Sequence, residues 1–254
     1  MIKTFKDEKT LSITLAKEIL SKLKNKKKLI LGCPGGRSLK KTYYYLGILS
    51  FKYKISLDKL SLIMMDEYVF KKNNKYYSVE PSKHYSCVKF SKNVIKKLLN
   101  YKKNKMNSLK EKNIYFPSIL NPKNYDILIR KLGGVDIFLL ASGSSDGHVA
   151  FNNVYSKINQ KTHITKLSLQ TRKDNMKTFP QFNHINEVPK FGITVGLNTI
   201  ASLSKSAVLV LTGKEKRTAY LKISNANKYV RTWPASIIHS CKKSKIYIDK
   251  KVKL

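Results

Sequence analysis

Acidic residues are scarce in this chain of 254 residues: 15 Asp and Glu stand against 51 Lys and Arg, a formal net charge of +36. An excess of that size favours polyanions such as nucleic acid. Here the surplus is mostly Lys, comes with many Asn, Ile and Tyr, and runs the whole length of the chain. That pattern reads as compositional bias on a solvated surface, so no nucleic-acid partner is expected, although the field still draws in an anionic substrate. Cysteine is also sparse. Three scattered residues, Cys33, Cys87 and Cys241, exclude a disulfide framework and a zinc site. Cys33 and Cys241 adjoin apolar runs and read as buried thiols. Long apolar runs are missing, which excludes a spanning helix, and membrane is not an expected partner. The N-terminal apolar residues are interrupted by Lys, unlike a signal peptide. A reducing cytoplasm is the expected setting. Repeats and Pro/Gly linkers are absent too, and residues 1–254 are expected to form a single domain.

What is present is enough for a core, since 42% of the residues are hydrophobic. Short apolar runs of buried-strand length recur at Leu29–Cys33, Leu60–Met65, Val135–Leu140, Ala207–Leu211 and Lys245–Asp249. Between them lie segments with helical spacing: residues 8–25, Leu39–Leu49, a stretch near 88–100, Asn124–Leu132 and Lys216–Ser224. Pro189–Gly196 reads as a further strand-like segment, Asn198–Leu203 as a helical turn, and a helix is expected after Pro234. Strand and helix in alternation predict an α/β fold with a mostly parallel sheet flanked by helices. Lys102–Lys112 reads as a solvated helix face. Residues 155–185 have weak apolar periodicity, and the cation-rich run Thr171–Lys177 reads as a lid.

Four apolar runs end in polar turns, and in a parallel sheet such ends share one edge. The first turn, Pro34-Gly35-Gly36-Arg37-Ser38, is a natural phosphate cradle. Glycines let the backbone approach, a helix start offers free N–H groups, and Arg37 and Ser38 add donors. It matches neither the dinucleotide fingerprint nor the P-loop. The second ends in Asp66-Glu67, either a helix-start pair favoured by the dipole or a general base at a strand end. The third carries Asp146-Gly147-His148, where Asp146 either caps a following helix or belongs to a site with His148. Asp66, Asp146 and His148 are the candidate catalytic groups.

Met65-Asp66-Glu67-Tyr68-Val69, Asp146-Gly147-His148-Val149-Ala150-Phe151-Asn152, and Val188-Pro189-Lys190 through Thr194-Val195-Gly196 with Thr199-Ile200 resemble the glucosamine-6-phosphate deaminase family. The wider family includes 6-phosphogluconolactonase. The resemblance implies a three-layer, Rossmann-like fold and a phosphorylated sugar as substrate, with no metal or organic cofactor. It implies that Asp66 moves a proton between C1 and C2 of the open-chain sugar and that His148 assists ring opening. Asp146 would orient the imidazole and hold it protonatable. The phosphate would be held by Gly35, Gly36, Arg37 and Ser38, by a lid cation falling at Lys177, and by Lys216 of the last turn. Members of the family often assemble, so a homo-oligomer is compatible with the resemblance.

The chain departs from that pattern at three places. Asn153 stands where the family has a Glu that pairs with the catalytic His, a change expected to lower the basicity of His148. The first turn, Gly-Gly-Arg-Ser, is closer to the lactonases, yet the lactonase run Thr-Ala-Ser-Leu-Phe-Pro is absent. Retention of Asp66-Glu67-Tyr68 and Phe151-Asn152 favours a deaminase/isomerase. Lactone hydrolysis by a His148-activated water is the alternative. A non-catalytic sugar-phosphate- or polyanion-binding protein is the third reading, and a blocked pocket beside one continuous basic face would favour it.

Overall fold

The computed structural model describes residues 1–254. In chain order the elements are β1 (Ile2–Phe5), α1 (Glu8–Lys24), β2 (Leu29–Cys33), α2 (Lys40–Lys52), β3 (Leu60–Met64), β4 (Asp66–Lys72) and β5 (Lys75–Ser78). There follow α3 (Cys87–Phe90), a π turn (Ser91–Ile95) and α4 (Lys96–Leu99), then β6 (Ile114–Tyr115), α5 (Lys123–Lys131) and β7 (Ile137–Ala141). The rest comprises β8 (His163–Lys166), α6 (Leu169–Thr178), β9 (Phe191–Thr194), α7 (Leu197–Leu203), β10 (Ala207–Leu211), α8 (Arg217–Ser224), a 3-10 helix (Pro234–Ser240) and β11 (Ser244–Asp249).

Seven strands form a parallel sheet in the order β1-β11-β10-β7-β2-β3-β6. Its strands alternate apolar residues to both faces, because both faces are covered. Leu29, Leu31 and Cys33 of β2 join one core with Leu11, Leu15 and Ile19 of α1 and with Tyr43 and Leu46 of α2. Ile30 turns to the opposite core, shared with Ile129 of α5, Ile200 of α7 and Ile223 of α8. The result is the three-layer α/β arrangement that the alternation of strand and helix predicts. The first helix starts where Asp7 accepts from the Thr10 N–H at 2.7 Å, and its period-3.6 leucines are buried. No helix is long and apolar enough to cross a membrane.

The structure adds what the sequence pattern does not reveal. A second sheet, β5-β4-β9-β8, is wholly antiparallel. Its β4 follows β3 after the single residue Met65, so Asp66 opens a strand and does not start a helix. This sheet packs on an aromatic cluster of Tyr68, Phe151, Phe179 and Phe182. Two other expectations change. Lys102–Lys112 is not a helix face but a series of turns, tied down by Leu57 N–H donating to Asn107 O and by Lys103 donating to Ile55 O. No helix follows Asp146 either, because residues 142–162 are turns and loop.

Candidate active site

A cleft of about 940 Å³ lies beyond the carboxyl ends of the parallel strands. The turn after β2, the start of β4, the turn after β7, the turn after β10 and one face of α6 all line it. Of the sequence-derived candidates, Gly35, Gly36, Arg37, Ser38, Asp66, His148, Lys177 and Lys216 line this one cleft. Asp146 is not on its wall; it stands behind the His148 ring.

The turn after β7 is built to hold that ring. Gly147 has φ +63°, and a Cβ there would fall 2.4 Å from the Trp233 ring. The backbone folds back through Gly143 N–H donating to His148 O at 2.7 Å and Ala235 N–H donating to Gly147 O at 2.8 Å. Gly143 lies so close under the Asp146–His148 pair that a Cβ would sit 2.2 Å from the carboxylate. Asp146 accepts from the His148 N–H at 3.2 Å and lies 2.7 Å from its Nδ1, while its second oxygen accepts from the Ser168 hydroxyl at 2.9 Å. Burial pushes the Asp146 carboxyl up, but these hydrogen bonds and the imidazole's charge outweigh it and hold it at about 2. An ionised Asp146 only accepts, so Nδ1 carries its proton and Nε2 is left to act as the base.

Asp66 is placed from both sheets. It follows β3 of the large sheet and pairs with Thr194 of β9 in the small one. Its carboxyl is buried, and burial together with the charge of Glu67 pushes it up to about 7, against the pull of Cys87 and His148. A carboxyl raised toward neutrality is suited to taking and returning a proton. Because the folded value exceeds the ordinary value of 3.8, this group's contribution to stability is complete below about pH 4 and is lost as pH rises toward 7. Asp66→Asn removes that loss. Its melting temperature should match the wild type at pH 4 and exceed it by about 5 °C at pH 8, from about 2–4 kcal/mol of relieved charge burial. Thermal melts at the two pH values check this, and equal differences at both would contradict it.

Arg37, Lys177 and Lys216 line the same cleft. Lys216 is half-buried, which lowers its ammonium pKa, and the nearby Arg37 adds to that lowering. It donates to Ser142 O at 2.6 Å, across the mouth of the His148 turn. Lys177 stands on the α6 face that also carries Gln170, Asp174 and Thr178 into the cleft. Three cations facing a common space fit a phosphate dianion.

Several groups at the site escape sequence reading. Glu67 is buried and does not face substrate: it accepts from Ser86 Oγ and from the Cys87 and Val88 N–H groups, anchoring the start of α3. Cys87 lines the cleft beside Asp66. Asn153 spends its side chain on backbone, donating to Lys166 O and accepting from Tyr155 N–H. Asp174 brings a carboxylate oxygen within 4.8 Å of donor atoms of both Asp146 and His148. That trio has cation-binding donors, but Asp146 and His148 already engage each other and Asp174 accepts from Gln170 at 3.0 Å, an arrangement that handles protons. Only the i, i+4, i+7, i+8 spacing of the polar face of α6 could have signalled Asp174. Glu67 and Cys87 meet across elements and leave no local signal.

Comparison with known proteins adds to this geometry. A family model described as glucosamine-6-phosphate isomerases/6-phosphogluconolactonase matches residues 6–248. The glucosamine-6-phosphate deaminase of Clostridium acetobutylicum is 32% identical over 250 residues, covering 98% of this chain and 97% of its own. That of Oceanobacillus iheyensis is 28% identical over 247 residues, covering 95% and 90%. Among solved structures, a monomeric glucosamine-6-phosphate deaminase superposes with a TM-score of 0.81 at 25% identity over 100% of this chain and 98% of that one. The 6-phosphogluconolactonase of Thermotoga maritima shares the fold, with a TM-score of 0.65 at 18% identity over 98% of each chain.

Proposed function

The chain belongs to the family of glucosamine-6-phosphate isomerases and 6-phosphogluconolactonases, and on that premise we propose that it deaminates and isomerises an amino sugar phosphate, with glucosamine 6-phosphate as substrate. The observation that carries the reading is the shared opening of Asp66 and His148 onto a cleft ringed by Arg37, Lys177 and Lys216. The phosphate docks on those cations and on the Gly35-Gly36-Arg37-Ser38 turn. His148 passes a proton between the anomeric hydroxyl and the ring oxygen, and the ring opens. Asp66 takes the proton from C2 and returns it to C1, which leaves an imine at C2. Water adds to that imine, and ammonia leaves behind a ketose phosphate. Asp146 keeps the imidazole in the tautomer that exposes Nε2.

Lactone hydrolysis is the second reading. The same Nε2 would activate water, and the Gly-Gly-Arg-Ser turn is the observation in its favour. Hydrolysis, however, gives no role to a buried carboxyl held at about 7 beside the imidazole. The open cleft argues against a binding-only protein. Incubation with glucosamine 6-phosphate should release ammonia stoichiometrically with ketose phosphate. The opening of 6-phosphogluconolactone should stay at its spontaneous rate. Absence of ammonia, or accelerated lactone opening alone, would overturn the proposal.

A further inference from the structure

We propose that Asp174 sets specificity for an amino sugar: its carboxylate receives the ammonium on C2, next to the carbon whose oxygens His148 serves. The inference deepens the amino-sugar reading of the cleft and rests on it. Asp174 stands on the cleft wall in a chain with 51 Lys and Arg, yet it forms no ion pair. One of its oxygens accepts from Gln170 Nε2 at 3.0 Å, and the other accepts nothing from the protein. Three other carboxylates of the wall are already committed. Asp7 caps α1 through the Thr10 N–H, Glu8 pairs with Lys41 at 2.5 Å, and Asp249 accepts from the Gly213 and Val252 N–H groups. Asp66 is reserved for the proton in the proposed reaction, and Glu215 is exposed on the turn after β10.

Helix α6 fixes where along the substrate this carboxylate falls. Its cap, Ser168, donates to Asp146 at 2.9 Å, so the helix starts on the Asp146–His148 pair. Its last turn, with Thr178, lies beside Gly36 of the phosphate cradle. Thr171, Asp174 and Lys177 follow at intervals of three, so they share a face and step about 4.5 Å each along the axis. Asp174 thus lies between the imidazole end and Lys177. One of its oxygens comes within 4.8 Å of donor atoms of both His148 and Asp146. Substituents on adjacent carbons of one sugar can therefore meet His148 and Asp174 together. The protonated amine on C2 is the one cation of an amino sugar phosphate, and its bond to a carboxylate is charge-assisted. A hydroxyl at C2 gains less from the same contact. A carboxylate at C1, as in the acid that lactone hydrolysis yields, meets Asp174 with like charge.

Two reduced, unreactive ligands isolate the contact: 2-amino-2-deoxyglucitol 6-phosphate and glucitol 6-phosphate, which differ only in nitrogen or oxygen at C2. By titration calorimetry the wild type should bind the amine about 30-fold more tightly, the size of a hydrogen bond to a charged group. In Asp174→Asn and Asp174→Ala that preference should fall to about threefold or less. Both variants should bind glucitol 6-phosphate as the wild type does, which also reports a folded cleft. Both should bind 6-phosphogluconate more tightly than the wild type, as the like charge is gone. In turnover, the loss should fall on KM for glucosamine 6-phosphate, by about tenfold, rather than on kcat. The titrations need no turnover: no ammonia from a wild type whose amine preference is lost in the variants sinks the deaminase reading and leaves this one standing. A wild type that binds both alcohols equally or binds neither, or variants that keep the preference for the amine, overturns the proposal.

Discussion

Asp66→Asn is expected to lower ammonia release from glucosamine 6-phosphate by about 10³-fold or more, within the range for removal of a positioned acid/base group. An amide has the shape of the carboxylate, so the cleft is preserved while the proton carrier is lost. The defect should fall on kcat, because in the proposed reaction Asp66 acts on C1 and C2 while the cations hold the phosphate. Solvent deuterium reports the step separately: as the proton held on Asp66 exchanges with solvent before its return, the wild type places label at C1 of the product, and the variant leaves substrate and product unlabelled. Ammonia release above about a tenth of the wild-type rate, a loss smaller than acid/base chemistry requires, would remove Asp66 from the proposed role.

His148→Ala should cost about 10²- to 10⁴-fold, and by a different route. Its Nδ1 lies 2.7 Å from the Asp146 carboxylate, which leaves Nε2 to act in the proposed reaction. Without the ring, the closed sugar must open unaided. Added imidazole should restore part of the rate, since truncation leaves space on an open cleft wall. The lactone provides the control: a hydrolase built on His148 would lose its activity in the same variant yet keep it in Asp66→Asn. Full deaminase turnover in His148→Ala would show that ring opening needs no group here.

The large sheet was legible because its strands are short, uniformly apolar runs such as Leu29–Cys33 and Ala207–Leu211, buried on both faces. The small sheet was not. Its β5 is exposed along its length and its β8 is half-exposed, so neither shows an apolar pattern. The polar start of β4, Asp66-Glu67, looks like a helix start until Thr194 and Ile193 are seen opposite it. Lys102–Lys112 misleads in the other direction, since charge alone says solvated and nothing about helix. At the site, Asp66, Asp146, His148 and the Gly35–Ser38 turn were legible through their motifs, which are contiguous in sequence. Glu67, Cys87 and Asp174 acquire meaning only when β4, α3 and α6 meet, and such meetings leave no trace in local spacing.

The single residue between the two sheets has a consequence for how such a chain can diverge. Met65 O accepts from Val195 N–H at 2.8 Å, so the joint is stapled on the step before Asp66. Strand side chains alternate, and one added residue at this joint would swing the carboxylate away from the cleft. Residues 64–66 therefore form a fixed gauge between the two sheets. Descendants of this enzyme can change what they bind by substitution around the cleft, but an insertion at that joint would end the chemistry in one event.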